Sequence, residues 1–264
     1  MYDFSYQKPS SVADAVTALA AADAKALAGG MTLIPVLKHR LNKPSAVVDL
    51  SKLGLSSIKV TSNTVSIGAM TTHATVTAST DVRSKIPALA DLAGGIGDIQ
   101  VRHRGTIGGS LANNDPAACY PAAVLALGAT ISTNRRSISA DKFFQGMFTT
   151  ALQPDEIIIS VEFPIPEKAA YEKFRNPASR YAIVGAFVAK LAAAGVRVAI
   201  TGAGQGGVYR HSAAEQALSA NFSTNAMNGI RQSPDDMNAD IHASAVYRAH
   251  LVGVTVKRAV AKAR

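Results

Sequence analysis

Two glycine-centred stretches carry the residues best suited to holding a ligand. The first reads Ala28-Gly29-Gly30-Met31-Thr32-Leu33-Ile34 and the second Thr106-Ile107-Gly108-Gly109-Ser110, and each leads into a helix-forming segment. Glycine has no Cβ, so its backbone takes unusual dihedrals and lets another group come close to its N–H donors. Anions favour such surfaces, and a helix start adds the positive end of its dipole, worth about 0.3–1 kcal/mol per charge at an exposed end. A glycine turn before a capped helix would account for either stretch alone; together they suit a long diphosphate ligand. Asn114, Asp115 and Pro116 follow the second stretch. Asp115 is a good N-cap and Pro116 suits a first helical position, so a helix is expected over Ala117–Leu127, kinked or tightened at Pro121.

Other constellations carry less. Gly202, Gly204 and Gly207 fit G-x-G-x-x-G, but no acidic residue stands near the position about twenty residues on where a ribose-binding acid belongs, so a flexible turn is the better reading. The histidines, at 39, 73, 103, 211, 242 and 250, include no H-x-x-x-H pair, and no metal site is expected. Cys119 is the only cysteine, which excludes an intrachain disulfide and a four-cysteine iron–sulfur cluster held by this chain alone. No acid, base or nucleophile stands out as catalytic. His103, between Arg102 and Arg104, reads as part of a surface turn, His73 as a helix cap, and Tyr247-Arg248 as packing for the last helix.

These residues need a scaffold, and the composition supplies one. The chain has 264 residues, 48% hydrophobic and 17% charged, enough for one large or two modest domains. No apolar run is long enough to span a bilayer, and Met1-Tyr2-Asp3-Phe4-Ser5 lacks a signal pattern. A cytoplasmic location is the default, with peripheral association at the inner membrane face left open. The net charge of +9 favours anionic partners, but Lys and Arg are scattered and aromatics make up only 6%, which argues against nucleic acid.

Periodicity predicts a helix over Val12–Ala22, a strand over Ala24–Ala28, a helix over Thr32–Leu41 and a strand over Ala46–Leu50. Thr64–Ala69 alternates as a strand, Thr71–Ala93 is helical with a break at Pro87, and Ile96–Arg104 leads into the second loop. Thr130–Ser139 is strand-like with a turn near Asn134, and Glu156–Phe163 reads as a half-buried strand. Past Pro164 and Pro166, Tyr171–Arg175, Tyr181–Leu191 and Val196–Thr201 form an antiparallel meander. Helices follow over His211–Ala220 and Ala239–Ala263, the latter with Ile241, Ala245, Leu251 and Val254 toward one side. The fold class is α+β, in two parts.

In order and spacing the chain resembles the FAD-binding medium subunit of the molybdenum hydroxylases, the group of aerobic carbon monoxide dehydrogenase, xanthine dehydrogenase and related aldehyde and N-heterocycle dehydrogenases. The resemblance runs through Phe4-x-Tyr6-x-x-Pro9, both glycine loops, Asp115-Pro116-Ala117-Ala118, Tyr171-Glu172-Lys173-Phe174 and Tyr247-Arg248, essentially the full length. It implies a two-part FAD-binding domain of the PCMH/vanillyl-alcohol oxidase type over residues 1–163, with pieces of about 1–54 and 55–163. A C-terminal domain of three antiparallel strands with helices would follow over 164–264. It also implies an electron-transfer role: electrons pass from [2Fe–2S] clusters in a small partner subunit, through FAD in this chain, to an external acceptor. A large partner would hold the molybdenum–pterin cofactor, in a dimer of heterotrimers. Within the group the look of Asn113-Asn114-Asp115-Pro116 is most like aerobic carbon monoxide dehydrogenase; a self-contained FAD reductase or oxidase of the same fold, or the medium subunit of an aldehyde or N-heterocycle dehydrogenase, is the alternative.

Carried over residue by residue, the resemblance implies that Ala28, Gly29, Gly30, Met31, Thr32, Leu33 and Ile34 wrap the FAD diphosphate. Thr106, Gly108, Gly109 and Ser110 would supply a second set of contacts, with Asn114 and Asp115 close by. Lys173 matches a lysine near the flavin, Ile157 or Ile158 an apolar position at its edge, Tyr181 a side chain beside the isoalloxazine ring, and Val101 another apolar wall. The sequence departs from the family pattern at Met31, where Gln or His is common, at Asn113, where His is frequent, and at Cys119, where an acidic residue is usual.

Overall fold

The computed structural model describes residues 1–264, and three sheets organise the chain. The first is parallel: Ala46–Asp49 lies between Ser5–Gln7 and Lys25–Leu27. Its central strand is buried at every position, as expected of a short continuous apolar run in a parallel sheet. The helix Val12–Leu19 connects two of these strands; Ser11 caps it by accepting from Asp14 N, and Ala15 and Leu19 pack with Val48 and Leu50. The helix Leu33–Lys38 follows the strand Lys25–Leu27, with Pro35 in its first turn.

The second sheet is antiparallel, in the order Ile58–Val60, Thr64–Gly68, Ile158–Pro164, Thr130–Thr133, Ser137–Ser139. Val65, Ile67, Val161, Phe163 and Ile131 share one large core with the helices that follow its second strand. Residues 71–93 form three helices, His73–Ala78, Thr80–Lys85 and Pro87–Gly94, where the sequence pointed to a single break. The second break falls at Ser79, whose hydroxyl caps the next helix by accepting from Val82 N. The approach to the second loop is itself a helix, Ile99–Arg104, capped by Asp98.

The third sheet is the expected meander, Lys168–Arg175, Ala182–Leu191 and Gly195–Thr201, with a fourth short strand, Tyr209–Arg210, added at its edge. Ala182–Leu191 is buried almost throughout because the last helix covers one face and the helix Tyr120–Ala126 lies toward the other. That last helix runs Ala245–Lys262 and starts later than expected. Asp240 Oδ1 accepts from the N–H groups of His242 and Ala243, forming a turn, and Ser244 then caps the helix. Ile241 is left outside it and 96% exposed.

Hydrogen bonds tie the third sheet to the second unit. Thr201 Oγ1 donates to the carbonyls of Pro116 and Ala118, Gly202 N to Pro116 O, and Lys173 Nζ to Gly95 O. No helix is long and apolar enough to cross a membrane.

Candidate functional site

The loop after Lys25–Leu27 reverses the chain at Gly30, whose φ of +75° is a left-handed value that suits glycine. The N–H groups of Gly29, Gly30, Met31, Thr32 and Leu33 have no acceptor in the protein; the first helical bonds run from Ile34 N to Gly30 O and from Val36 N to Thr32 O. Successive unpaired N–H groups at a helix start form an anion-binding concavity. A Cβ on Gly29 would lie 2.0 Å from the Arg104 carbonyl oxygen, so the loop is seated directly on the backbone that enters the second loop. Ile34 supports it from behind, its Cδ1 lying 2.6 Å from where a Gly30 Cβ would be, and does not line the cavity.

The second loop is built differently. Thr106 caps the helix Ile107–Asn113, its hydroxyl accepting from Gly109 N at 3.1 Å. Ile107 N donates to Thr71 O, Gly108 N to Ala69 O and Ser110 N to Thr106 O. The expectation that Gly108 and Gly109 present free N–H donors is therefore corrected, because the helix cap and the neighbouring chain have already taken them. Gly108 is buried, and a Cβ there would stand 2.7 Å from that of Ala69. Gly109 lines the cavity, and a Cβ on it would come within 2.9 Å of Thr106 Oγ1 and 3.4 Å of Ala28 Cβ. At Gly108 and Gly109 this loop gives the cavity a stretch of wall without side chains.

The two loops, the segment Ile96–Val101 and the edge of the third sheet enclose a cavity of about 640 Å³. Its lining brings together Ala28, Gly29, Gly30, Met31, Thr32 and Leu33 with Thr106, Gly108, Gly109 and Ser110. Val101, Asp115, Ile157, Ile158, Lys173 and Tyr181 complete the expected set, Tyr181 being 53% exposed at the rim.

Asn114 is the second expected residue, besides Ile34, that lies outside the lining. It ends the helix in a left-handed conformation, φ +43°, and its side-chain amide donates to the carbonyls of Gly146 and Thr149 at 2.7 and 2.9 Å. Asparagine tolerates that helix-ending geometry, and its side chain is used up in fixing the next loop. Asn113 faces the cavity instead. Asp115 does not cap a helix: its Oδ1 accepts from Ala117 N in a turn, and the helix begins at Tyr120, with Pro121 in its first turn where a missing N–H costs nothing.

Sequence reasoning missed His73 as a lining residue; the cap it was expected to provide comes from Thr72. His73 packs behind Gly105 and against the Tyr120 ring, 5.3 Å between centroids, and burial with the nearby Arg102 charge pushes its pKa from the usual 6.5 down to about 4. It is neutral at pH 7, and its Nδ1 has no partner. His103 is exposed on the helix Ile99–Arg104, with Nδ1 on Ile99 O, and takes no part in the lining. Glu156 reaches the lining but is committed to Arg136, whose guanidinium holds its pKa at about 2. Cys119, flagged in the sequence only as a departure, is buried in the wall beside Lys173. Nothing in the sequence pattern links these two residues, which the third sheet brings together.

The arrangement can hold an elongated anionic ligand by backbone donors at its middle and apolar and polar side chains at its ends. A profile of the FAD binding domain in molybdopterin dehydrogenase matches residues 2–166. The chain is 35% identical to the nicotine 6-hydroxylase medium subunit of Paenarthrobacter nicotinovorans, over 98% of this chain and 96% of the relative. It is 32% identical to the carbon monoxide dehydrogenase medium chain of Afipia carboxidovorans, over 99% and 96%. Among solved structures, the reconstituted CO dehydrogenase from Oligotropha carboxidovorans superimposes with a TM-score of 0.91 at 31% identity, covering 99% of this chain and 97% of that one.

Proposed function

The chain belongs to the FAD-binding subunits of the molybdenum hydroxylases, and from that premise we propose how its residues hold the cofactor. It is the FAD-carrying, electron-transferring subunit of a heteromeric oxidoreductase whose molybdenum–pterin cofactor and [2Fe–2S] clusters reside in partner subunits. Bound FAD supplies the redox chemistry, accepting electrons from those clusters and releasing them to an external acceptor. The protein supplies position and electrostatics.

The observation that carries the site reading is the run of unpaired N–H groups from Gly29 to Leu33 at the cavity wall. These groups hold the diphosphate, while Gly109 and Ser110 let it lie close against the second loop. Lys173, Tyr181, Val101 and Ile158 surround the flavin end, and their mixture of one cation with apolar walls suits a flat, partly polar ring. Ile34 and Asn114 support the two loops from outside the cavity.

Residues 1–163 are proposed as the FAD-binding domain, in pieces of about 1–54 and 55–163, and 164–264 as the C-terminal domain; the grouping of strands into one sheet over residues 5–49, a second over 58–164 and a third over 168–210 supports this division. The partners are a large molybdenum subunit and a small iron–sulfur subunit in a dimer of heterotrimers. A reducing cytoplasmic location fits the free, buried Cys119. Substrate choice rests with the large partner. Carbon monoxide is the first reading, supported by the likeness to CO dehydrogenase medium chains, and an N-heterocycle is the second, supported by the identity to the nicotine 6-hydroxylase subunit and the likeness to quinoline 2-oxidoreductase.

Purification of the native complex tests the proposal. Flavin, iron and molybdenum together with two further polypeptides are expected. Flavin on a lone chain without metals would overturn the partner assignment, and a complex without flavin, even after FAD is added, would overturn the cofactor site.

A further inference from the structure

We propose that Lys173 is an uncompensated cation beside the flavin ring, and that Cys119, as a neutral neighbour in the place a carboxylate could occupy, keeps it so and thereby raises the reduction potential of the bound FAD. The inference rests on the FAD reading above and concerns how this chain tunes that cofactor.

Lys173 Nζ donates to Gly95 O at 2.7 Å and lies 3.4 Å from Cys119 Sγ, and both side chains line the cavity. An ammonium has three donors, so one remains for a ligand. No carboxylate forms an ion pair with Lys173. Its strand neighbour Glu172, on the opposite side of the strand, is bonded to Lys262. Asp115, elsewhere in the lining, accepts from Ala117 N. The Tyr171 hydroxyl beside Cys119 is buried without a partner and burial holds it protonated, and Tyr181 and Arg175 are the other polar side chains near this spot.

Lys173 is half-buried at the cavity wall, and no carboxylate of the protein is paired with it. Two-electron reduction of the ring by the partner's clusters, with uptake of one proton, adds one net negative charge to it. Lys173 therefore stabilises the reduced ring more than the oxidised one. A carboxylate at position 119 would pair with the ammonium and cancel most of that preference, whereas a thiol leaves it intact.

The test is a redox titration of FAD in the intact complex, following the flavin, with FAD content measured alongside. Cys119→Asp is expected to weaken the preference for reduced flavin at least tenfold, a drop of about 30 mV for a two-electron couple. Cys119→Ser should leave the potential unchanged, and Lys173→Gln should lower it at least as far as Cys119→Asp. Adding Cys119→Asp to Lys173→Gln should lower it no further, because the thiol acts through the lysine. Equal shifts for Cys119→Asp and Cys119→Ser, or an unchanged potential in a flavin-replete Lys173→Gln complex, would overturn the proposal. If Lys173→Gln loses FAD, the two Cys119 variants decide, since both leave the lysine in place. A wild-type complex without FAD would instead remove the cofactor reading on which the inference rests.

Discussion

In the loop from Ala28 to Leu33 the backbone N–H groups of Gly29 through Leu33 have no acceptor, whereas in the loop from Thr106 to Ser110 those of Ile107, Gly108, Gly109 and Ser110 are all bonded within the protein. Both loops carry paired glycines before a helix, yet the glycines serve different ends. In the first, Gly30 makes the turn that leaves donors exposed, and Gly29 lets the loop sit on the carbonyl of Arg104. In the second, Thr106 starts the helix at once, and the missing side chains admit Ala69 behind Gly108 and leave the cavity open in front of Gly109. In the proposed site one loop donates and the other leaves room.

The contact between the loops is where the largest effect is expected. Gly29→Ala places a methyl 2.0 Å from a backbone oxygen that cannot move without shifting the entry to the second loop. The cost is about 3 kcal/mol of stability, at the upper end for overpacking, together with loss of FAD. Thermal unfolding and flavin content check it, and an unchanged melting temperature would mean that the loops are not seated on each other.

Acid separates the two loops next. His73 supports Gly105 at the entry to the second loop, and its folded pKa of about 4 lies below the usual 6.5. Between these values the unfolded chain binds the proton and the folded one does not, so stability falls as pH drops from 6.5 and the loss is complete near 4. It amounts to about 3 kcal/mol, and His73→Gln should remove it from pH-dependent denaturation curves. Glu156, with a folded pKa of about 2 against an ordinary 4.5, loses its own contribution as pH falls between those values, below most of the His73 phase, so the two phases are distinguishable.

A smaller and more local effect is expected in front of the second loop. Gly109→Val would fill the wall that the ligand approaches and crowd Thr106 Oγ1 and Ala28. FAD affinity should fall by about 100-fold, near 2.7 kcal/mol. Flavin titration of the refolded or reconstituted variant measures this, and full flavin retention would remove Gly109 from the site.

The contrast between the loops was only partly legible in the sequence. Glycine pairs, helix-forming flanks and the strand pattern all fall where local chemistry places them. The N–H of Gly108 is taken by Ala69, whose carbonyl comes from a segment far along the chain, and no local pattern encodes that pairing; the N–H of Gly109 is taken by Thr106 three residues before it, a local cap. Asp115 and Pro116 carried a good helix-start signal, yet Asn114 takes the left-handed conformation, Asp115 closes a turn, and the helix waits for Tyr120. At the C-terminal helix, Asp240 and Ser244 offered two successive stop-and-start signals, and the apolar Ile241 drew the expected boundary too early. The Cys119–Lys173 contact, made through packing of the third sheet, has no sequence signature.

In the proposed site the first loop, and not the second, donates backbone hydrogen bonds to the cofactor. Hydrogen–deuterium exchange of the intact complex, with FAD bound and after its removal, tests it most directly. Amides from Gly29 to Leu33 should exchange rapidly without FAD and become strongly protected with it, while those of Ile107 to Ser110 should be protected in both states and change little. Equal rates for Gly29 to Leu33 in the two states, with FAD bound in full, would contradict the account.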